Sequence, residues 1–406
     1  MHIAQFTNTY HPIINGVVRS VSVYRQALME AGHQVFVFAQ QNNGYEDEEA
    51  FIYRYPSFQL PVAGDIPAAI PVSPFIDRLL PSLKLDVIHT HHPVLLGQAA
   101  ANKAQELNLP LVFTFHTQYQ EYTHYVPFPQ EAIQDFLKNA IQGWVQKFMR
   151  QCHHIVIPSE SMRATLIDEY GLEGPMTIIP TGIDLTPYQN ADRQALRAAH
   201  GWQNERVMIS VGRLAIEKNW ALLLEATALA LQNQPDLRLV LLGDGSERPA
   251  LESLAAELGI QERVDFMGAI PFEDVPGYLQ AADLFGFAST SETQGLVTLE
   301  ALAAHLPVVA VDASGTRDIV QHERQGFLTD ENAPALAQAI GQVLGDPACL
   351  ENFRAAAQKR AEDFEIQRLM KKLLNVYQES IADQQAGRLV QVNSPSEGDE
   401  KVFAVS

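Results

Sequence analysis

Two cations five residues apart, Arg213 and Lys218, follow a run, Ser210-Val211-Gly212, that reads as the end of a buried strand. A diphosphate needs charge neutralisation and a close backbone approach. A strand that opens through glycine into a helix can offer both. Taken alone, such an Arg and Lys are ordinary surface residues. Further along, Glu292 and Glu300 stand eight positions apart. Eight helical steps would turn them about 80° from each other, at about 100° per residue, so one helix face does not explain the pair. A loop after the Leu284–Phe287 strand accounts better for Glu292, with a helix starting near Gly295. The amides of Gly295, Leu296 and Val297 then make an anion site at the helix start. Glu292 could reach a sugar, and Glu300, more than a turn inside the helix, could accept hydrogen bonds from ribose hydroxyls. A solvated Glu300 is the plain alternative, against which stand its apolar neighbours Leu299, Ala301 and Leu302.

The N-terminal half offers a loop, Thr9 to Val18, in which Gly16 at a helix start permits close backbone approach to phosphate or sugar. The loop lacks the G-x-G-x-x-G of dinucleotide enzymes, and no acidic residue follows at the right place, so hydride transfer loses ground. Phe113-Thr114-Phe115-His116 ends a buried strand in a histidine, neutral or protonated, that could hydrogen-bond a sugar hydroxyl or steady a developing charge. His89, His91 and His92 cluster at another strand end. Without nearby cysteines or a convincing carboxylate they make a poor metal site, and no Asp-X-Asp occurs for a metal-diphosphate clamp. No metal and no cofactor are expected.

Around these residues the chain alternates short apolar strands with amphipathic helices, twice over, which indicates parallel sheets covered on both faces. Strands are expected at His2–Thr7, Gln34–Ala39, Asp86–Thr90, Leu111–Phe115, His154–Ile157 and Met176–Ile179. The pattern pauses in turn chemistry at Pro180-Thr181-Gly182-Ile183-Asp184. It resumes at Arg206–Val211, with a helix from Glu217, then strands at Leu237–Leu242, Val264–Phe266, Leu284–Phe287 and Val308–Val311. The expected division is an N-terminal Rossmann-like domain over 1–185 and a C-terminal one over 186–363. A helix over 364–383 is expected to pack back on the first domain, followed by a flexible tail over 384–406. Residues 42–82, with an acidic run and many prolines, read as irregular and mobile. Two doubly wound domains in tandem place a ligand cleft between the carboxyl edges of their sheets.

At 406 residues the chain is too long for one core, and at 47% hydrophobic residues it can fill two. Two cysteines far apart exclude a disulfide framework and suit a reducing compartment. No basic, apolar leader opens the chain and no apolar run is long enough to span a bilayer, so a cytoplasmic protein is expected. The net charge of −20 disfavours nucleic-acid binding and electrostatic adhesion to anionic lipid. Residues 1–180 carry 10 Lys and Arg against 16 Asp and Glu, and the rest 18 against 32. The N-terminal half is therefore the likelier side to meet a membrane.

Together, Gly212-Arg213 with Lys218, and Glu292 with Glu300, in that order and spacing, resemble retaining glycosyltransferase family 4, whose members adopt the GT-B fold of two Rossmann-like domains. Gly16, His116, Thr181-Gly182-Ile183-Asp184 and Gly243-Asp244-Gly245 fit as well, and the resemblance covers the chain to about residue 382. It implies that Arg213 and Lys218 clamp a donor pyrophosphate, that Glu300 binds ribose, and that Glu292 and His116 contact the transferred sugar. It further implies a backbone contact from Gly16, phosphate and sugar contacts from the amides of Gly295, Leu296 and Val297, and a nucleobase near Ile270. Family members retain anomeric configuration and need no bound metal. The stretch from His116 through Tyr119, Tyr122 and Tyr125 to Pro127, and the opening from Asn8 to Ser20, look like bacterial diacylglycerol glucosyltransferases. The tyrosine rings suit an interface, or simply pack a loop. The basic amphipathic surface of those enzymes is not evident, since Lys138, Lys147 and Arg150 are few and spread out.

The expectation is a metal-independent retaining transferase moving a hexose, glucose from UDP-glucose, to a diacylglycerol-type lipid at the inner face of the membrane. A soluble sugar or polyol-phosphate acceptor is the alternative within the family. Outside it stand a non-catalytic homologue that binds nucleotide-sugar, and a GT-B phosphorylase or epimerase.

Overall fold

A computed structural model of the chain describes residues 1–13, 15–59, 67–116, 131–189, 192–292 and 294–393, and over 131–138 the backbone alone. The chain forms two compact units, Met1–Gly182 with Ile366–Ser406, and Ile183–Glu365.

The first unit is built on a seven-stranded sheet. From edge to edge it runs Met176–Ile178, His154–Ile157, Leu111–Thr114, Val87–Thr90, His2–Thr7, Gln34–Gln40 and Ile52–Tyr55, with every neighbouring pair parallel. These strands are nearly continuous apolar runs because helices cover both faces. Phe6, Phe38, Phe113, Phe115 and Ile155 lie in one core with Phe148 and Leu166. The Gly16–Glu30 helix starts where Asn15, in extended conformation, accepts a hydrogen bond from the Val18 amide at 2.9 Å, satisfying one first-turn donor. The final helix, Ile366–Gln385, belongs to this unit and buries Ile366, Leu369, Met370, Leu373, Val376 and Tyr377, one stripe at helical spacing.

The second unit carries a six-stranded sheet in the order Val264–Gly268, Leu237–Leu242, Arg206–Val211, Leu284–Phe287, Val308–Val311 and Gly326–Thr329, again parallel throughout. Its core gathers Met208, Leu239, Leu241 and Val309 with Trp220, Leu224, Leu336 and Ile340 from the covering helices. In each sheet the chain winds outward to one side from the first strand, then returns to build the other side. The order therefore reverses between His2–Thr7 and Val87–Thr90 in one unit, and between Arg206–Val211 and Leu284–Phe287 in the other.

Two expectations about the fold are corrected, and one strand is added. Of the segment 42–82, expected to be irregular and mobile, residues 60–66 lie outside the described residues; the rest is not irregular throughout, since it holds the edge strand Ile52–Tyr55, the antiparallel pair Ser57–Phe58 with Ala68–Ala69, and the helix Pro74–Leu79. Two members of the acidic run are paired locally: Arg54 Nε donates to Asp47 at 2.8 Å, and the buried Arg25 pairs with Glu49 at 2.6 Å. Of the flexible tail expected over 384–406, residues 394–406 lie outside the described residues, and regular structure continues before them. The helix continues to Gln385, and Gln391–Val392 pairs antiparallel with Leu172–Glu173, burying Val390 and Val392. The strand Gly326–Thr329 was not anticipated, since its four residues show neither alternation nor a long apolar run.

Candidate functional site

Open parallel sheets bind ligands outside the carboxyl ends of their strands where the order reverses. In the second unit that point lies between the loops after Arg206–Val211 and Leu284–Phe287. The first of these loops carries Arg213 and Lys218, and the second carries Glu292.

Arg213 follows Gly212, and its carbonyl oxygen accepts from Trp220 Nε1 at 3.0 Å, which ties the loop to the next helix. A helix directly from Glu217 was expected. Instead Ile216–Lys218 forms a 3-10 turn, Asn219 takes a left-handed conformation with φ 55°, and the α-helix runs Trp220–Ala230. The turn sets both cations on the carboxyl edge of the sheet. Neither stands alone. Arg213, 71% exposed, lies 2.7 Å from Glu217, and Lys218 is ion-paired with Glu292. Burial works to raise the Glu217 carboxyl, but its own backbone amide and the Arg213 guanidinium hold it below the usual range. The buried Ser289 hydroxyl sits 3.0 Å from Glu292 Oε1 and 3.3 Å from the Glu217 carbonyl, joining the two loops.

Glu292 does lie in a loop, and the helix is Leu296–Ala303, preceded by Gly295 with φ 70°. Leu296 and Val297 are thus first-turn residues, whose amides have no carbonyl four residues back within the helix. Glu300 is 2% exposed, so the solvated alternative is set aside. A second glycine shapes this loop. Gly315, in the left-handed region at φ 76°, would place a Cβ 2.5 Å from the Glu292 carbonyl oxygen and 2.9 Å from the Gln294 amide. Any side chain there would push the loop aside. On the other side of Arg213, a Cβ on Gly243, at φ 139°, would meet the Gly212 carbonyl oxygen at 1.9 Å. The Gly243 amide donates to Gly268 at 2.8 Å, and Ile270, half-buried, follows two residues later on the same edge.

In the first unit the reversal point lies beside Asn8, His91 and His92. The Asn8 amide donates to His92 Nδ1 at 3.0 Å, and the His91 amide to the Phe6 carbonyl at 3.0 Å. Gly16 opens its helix on the loop from the same first strand. His116, half-buried, stands two residues beyond Leu111–Thr114, and its Nε2 lies 2.9 Å from His91 Nδ1. His89 Nδ1 meets the Tyr377 hydroxyl at 2.8 Å, and its Nε2 meets Thr114 Oγ1 at 2.6 Å. Burial pushes His89 and His116 down to about 3 and His92 to about 4, and it holds His91 well below its ordinary value. These rings are neutral at pH 7, so the protonated option for His116 is removed. His89 Nδ1 and Nε2, His91 Nδ1, His92 Nδ1 and His116 Nε2 are spent on one another and on hydroxyl and amide partners, while His91 Nε2 is buried without a partner among the described residues. Among the described residues no group of three His, Cys, Asp or Glu is placed to hold a metal ion.

Arg213, Lys218, Glu292, Gly295, Leu296, Val297, Glu300 and Ile270 all belong to the second unit; Gly16 and His116 belong to the first. The tyrosines Tyr119, Tyr122 and Tyr125 lie outside the described residues. Sequence reasoning missed Glu217, Ser289 and Gly315. Glu217 offered one signal, its spacing of four from Arg213, which suits an ion pair on a tight turn. Among the described residues no helix is long and apolar enough to cross a membrane.

Residues 14–187 match the family model for Glycosyltransferase Family 4, and residues 192–360 that for Glycosyl transferases group 1. An alpha-monoglucosyldiacylglycerol synthase of Acholeplasma laidlawii is 33% identical over 354 residues, 84% of this chain and 87% of that protein. The protein of the same description from Streptococcus pneumoniae is 34% identical over 331 residues, 76% of this chain and 71% of its own. Among solved structures, Anabaena Alr3699/HepE in complex with UDP superposes with a TM-score of 0.74 at 20% identity, covering 93% of this chain and 100% of that one.

Proposed function

The chain belongs to the family 4 and group 1 glycosyltransferases of GT-B fold, and on that premise we propose that it moves glucose from UDP-glucose to a diacylglycerol-type lipid with retention of configuration. The observation that carries the donor reading is the gathering of two cations, each paired with a carboxylate, at the reversal point of the second sheet. A departing nucleoside diphosphate develops negative charge there, and fixed positive charge stabilises it.

In this reading Arg213 and Lys218 turn from their glutamates to the pyrophosphate, and the amides of Gly295, Leu296 and Val297 add backbone donors. Glu300 accepts from the ribose hydroxyls, Ile270 borders the base, and Glu292 reaches the transferred sugar. His116 hydrogen-bonds a sugar hydroxyl, and Gly16 gives a close backbone contact. The bond from the anomeric carbon to the diphosphate oxygen breaks as the acceptor oxygen bonds on the same face. The acceptor proton passes to the departing diphosphate. No enzyme carboxylate is assigned as nucleophile, and no metal or cofactor takes part.

Two observations support a lipid acceptor. The relatives of highest identity above are named as synthases of alpha-monoglucosyldiacylglycerol, a glucosylated lipid. In the first unit, Phe58, Ile70, Val72 and Phe75 are exposed apolar side chains within eighteen residues, Phe75 at 65%. That suits attachment by apolar insertion at the cytoplasmic face, since a chain of net charge −20 gains little from anionic lipid. The test sediments the protein with diacylglycerol vesicles at two salt concentrations, then follows radiolabelled UDP-glucose into extractable lipid. Binding that falls only weakly with salt, with an α-linked glucolipid as product, is expected. No vesicle binding together with efficient transfer to a water-soluble sugar or polyol phosphate would retire the lipid acceptor and leave the donor site standing.

A further inference from the structure

Period-two alternation places His89 and His91 side by side on one face, and Thr114 and His116 likewise on the neighbouring strand's continuation. The result is two rungs: His89 to Thr114, and His91 to His116. The His91 ring is 3% exposed and sandwiched, its centroid 4.5 Å from His89 and 5.1 Å from His116. His89 is in turn held at both nitrogens, one of them by Tyr377 of the final helix.

We infer that His91 is a positioning residue that fixes the ring and tautomer of His116, so that His116 offers its Nδ1–H as a hydrogen-bond donor. Two neutral imidazoles 2.9 Å apart share one proton between the facing nitrogens, so one ring donates and the other accepts. If His116 donated from Nε2, His91 would accept at Nδ1 and carry its own proton on Nε2. That Nε2 is buried and has no hydrogen-bond partner among the described residues. An orphaned buried N–H is the rarer and costlier arrangement. His91 therefore donates from Nδ1 and leaves Nε2 as a bare lone pair. His116 accepts at Nε2 and carries its proton on Nδ1, which makes no hydrogen bond among the described residues. Burial keeps both rings neutral, which is the condition for a single proton between the facing nitrogens. His116 then acts as an oriented donor toward a ligand oxygen; with Nε2 occupied it is not a base.

The value of that donor rests on the proposed contact between His116 and the transferred sugar; the tautomer itself does not. The test is long-range ¹H–¹⁵N correlation on histidine-labelled full chain, with His116→Gln for assignment. A protonated Nδ1 and bare Nε2 at His116 are expected; a protonated Nε2 overturns the inference, with no variant required. His91→Phe should release the ring, and the His116 signals should shift toward the Nε2–H form. In transfer assays it should lower kcat by about tenfold to a hundredfold with little change in KM for the donor, a misorientation effect. His91→Asn, whose amide can donate from nearly the same place, should restore most of the rate. An unchanged His116 tautomer in a folded His91→Phe would also overturn the inference. Wild-type rates in His116→Ala would instead end the sugar-contact reading and leave the tautomer result untouched.

Discussion

Arg213 Nη2 lies 2.7 Å from Glu217 Oε1, so the more exposed of the two proposed donor-binding cations already carries a carboxylate in the structure described. A pyrophosphate must compete with that carboxylate. Glu217→Gln removes the competitor and keeps the shape of the turn. Exposed pairs of this kind contribute about 0.2–1 kcal/mol, so the variant should bind UDP up to about fivefold more tightly. Titration calorimetry reads this directly. Weaker binding would mean that Glu217 orients Arg213 for the donor and does not compete with it.

Arg213 and Lys218 should be equally necessary for turnover and unequal for folding. Alanine at either position should cut transfer by about a hundredfold or more, since each removes a fixed charge from the departing diphosphate. Arg213 is 71% exposed, and its loss should leave stability within about 0.5 kcal/mol. Lys218→Ala leaves Glu292, whose side chain is 16% exposed, without its cation, and should cost about 1–3 kcal/mol. Urea titrations beside initial rates separate the effects. Near-normal turnover in both variants would remove the clamp.

Glu300 is proposed to read the ribose, which predicts a specific pattern of discrimination. The wild type should bind 2′-deoxy-UDP more weakly than UDP, by about tenfold or more, because a buried carboxylate loses a partner. Glu300→Ala should bind both nucleotides weakly and distinguish them little. Full discrimination in the variant would assign the ribose contact elsewhere.

Metal dependence offers a direct check on the cationic clamp. Transfer should persist in excess EDTA, because Arg213 and Lys218 do the neutralising. Activity lost on chelation and restored by Mn²⁺ or Mg²⁺ would show that side chains alone do not suffice.

The histidine cluster predicts how stability depends on pH. Burial lowers His89 and His116 from 6.5 to about 3, and His92 to about 4. Between those values and 6.5 the unfolded chain binds protons that the folded chain refuses. Stability should be full above about pH 6.5 and fall as pH drops, by at most about 1.4 kcal/mol per pH unit for each ring. Thermal midpoints measured from pH 7.5 to 4.5 should trace that decline, and His89→Gln should flatten it. An unchanged slope would mean that other groups govern the acid sensitivity.

Much of the fold was legible because parallel strands buried on both faces are written as short apolar runs. His2–Thr7, His154–Ile157, Arg206–Val211, Leu237–Leu242, Leu284–Phe287 and Val308–Val311 have the bounds expected of them. The loop position of Glu292 and the helix start after Gly295 were also readable, because a buried strand must leave the sheet through a loop before a helix can cover it, and Gly295 marks the break. Local patterns were weakest where pairing is long-range. Ile52–Tyr55 is a strand only because Gln34–Gln40 lies beside it, and Gln391–Val392 only because Leu172–Glu173 does.

What the sequence determined by itself was which residue types stand at strand ends, since spacing and turn chemistry are local. It could not determine their partners. That Glu217 occupies Arg213, that Glu292 occupies Lys218, and that His91 faces His116 follow from which strands become neighbours. Protonation followed the same division. The sequence left His116 neutral or charged, and only its burial, with a second imidazole at hydrogen-bonding distance, made it neutral. Desolvation and contact are properties of the packed sheet, set by residues distant in the chain, and no local pattern encodes them.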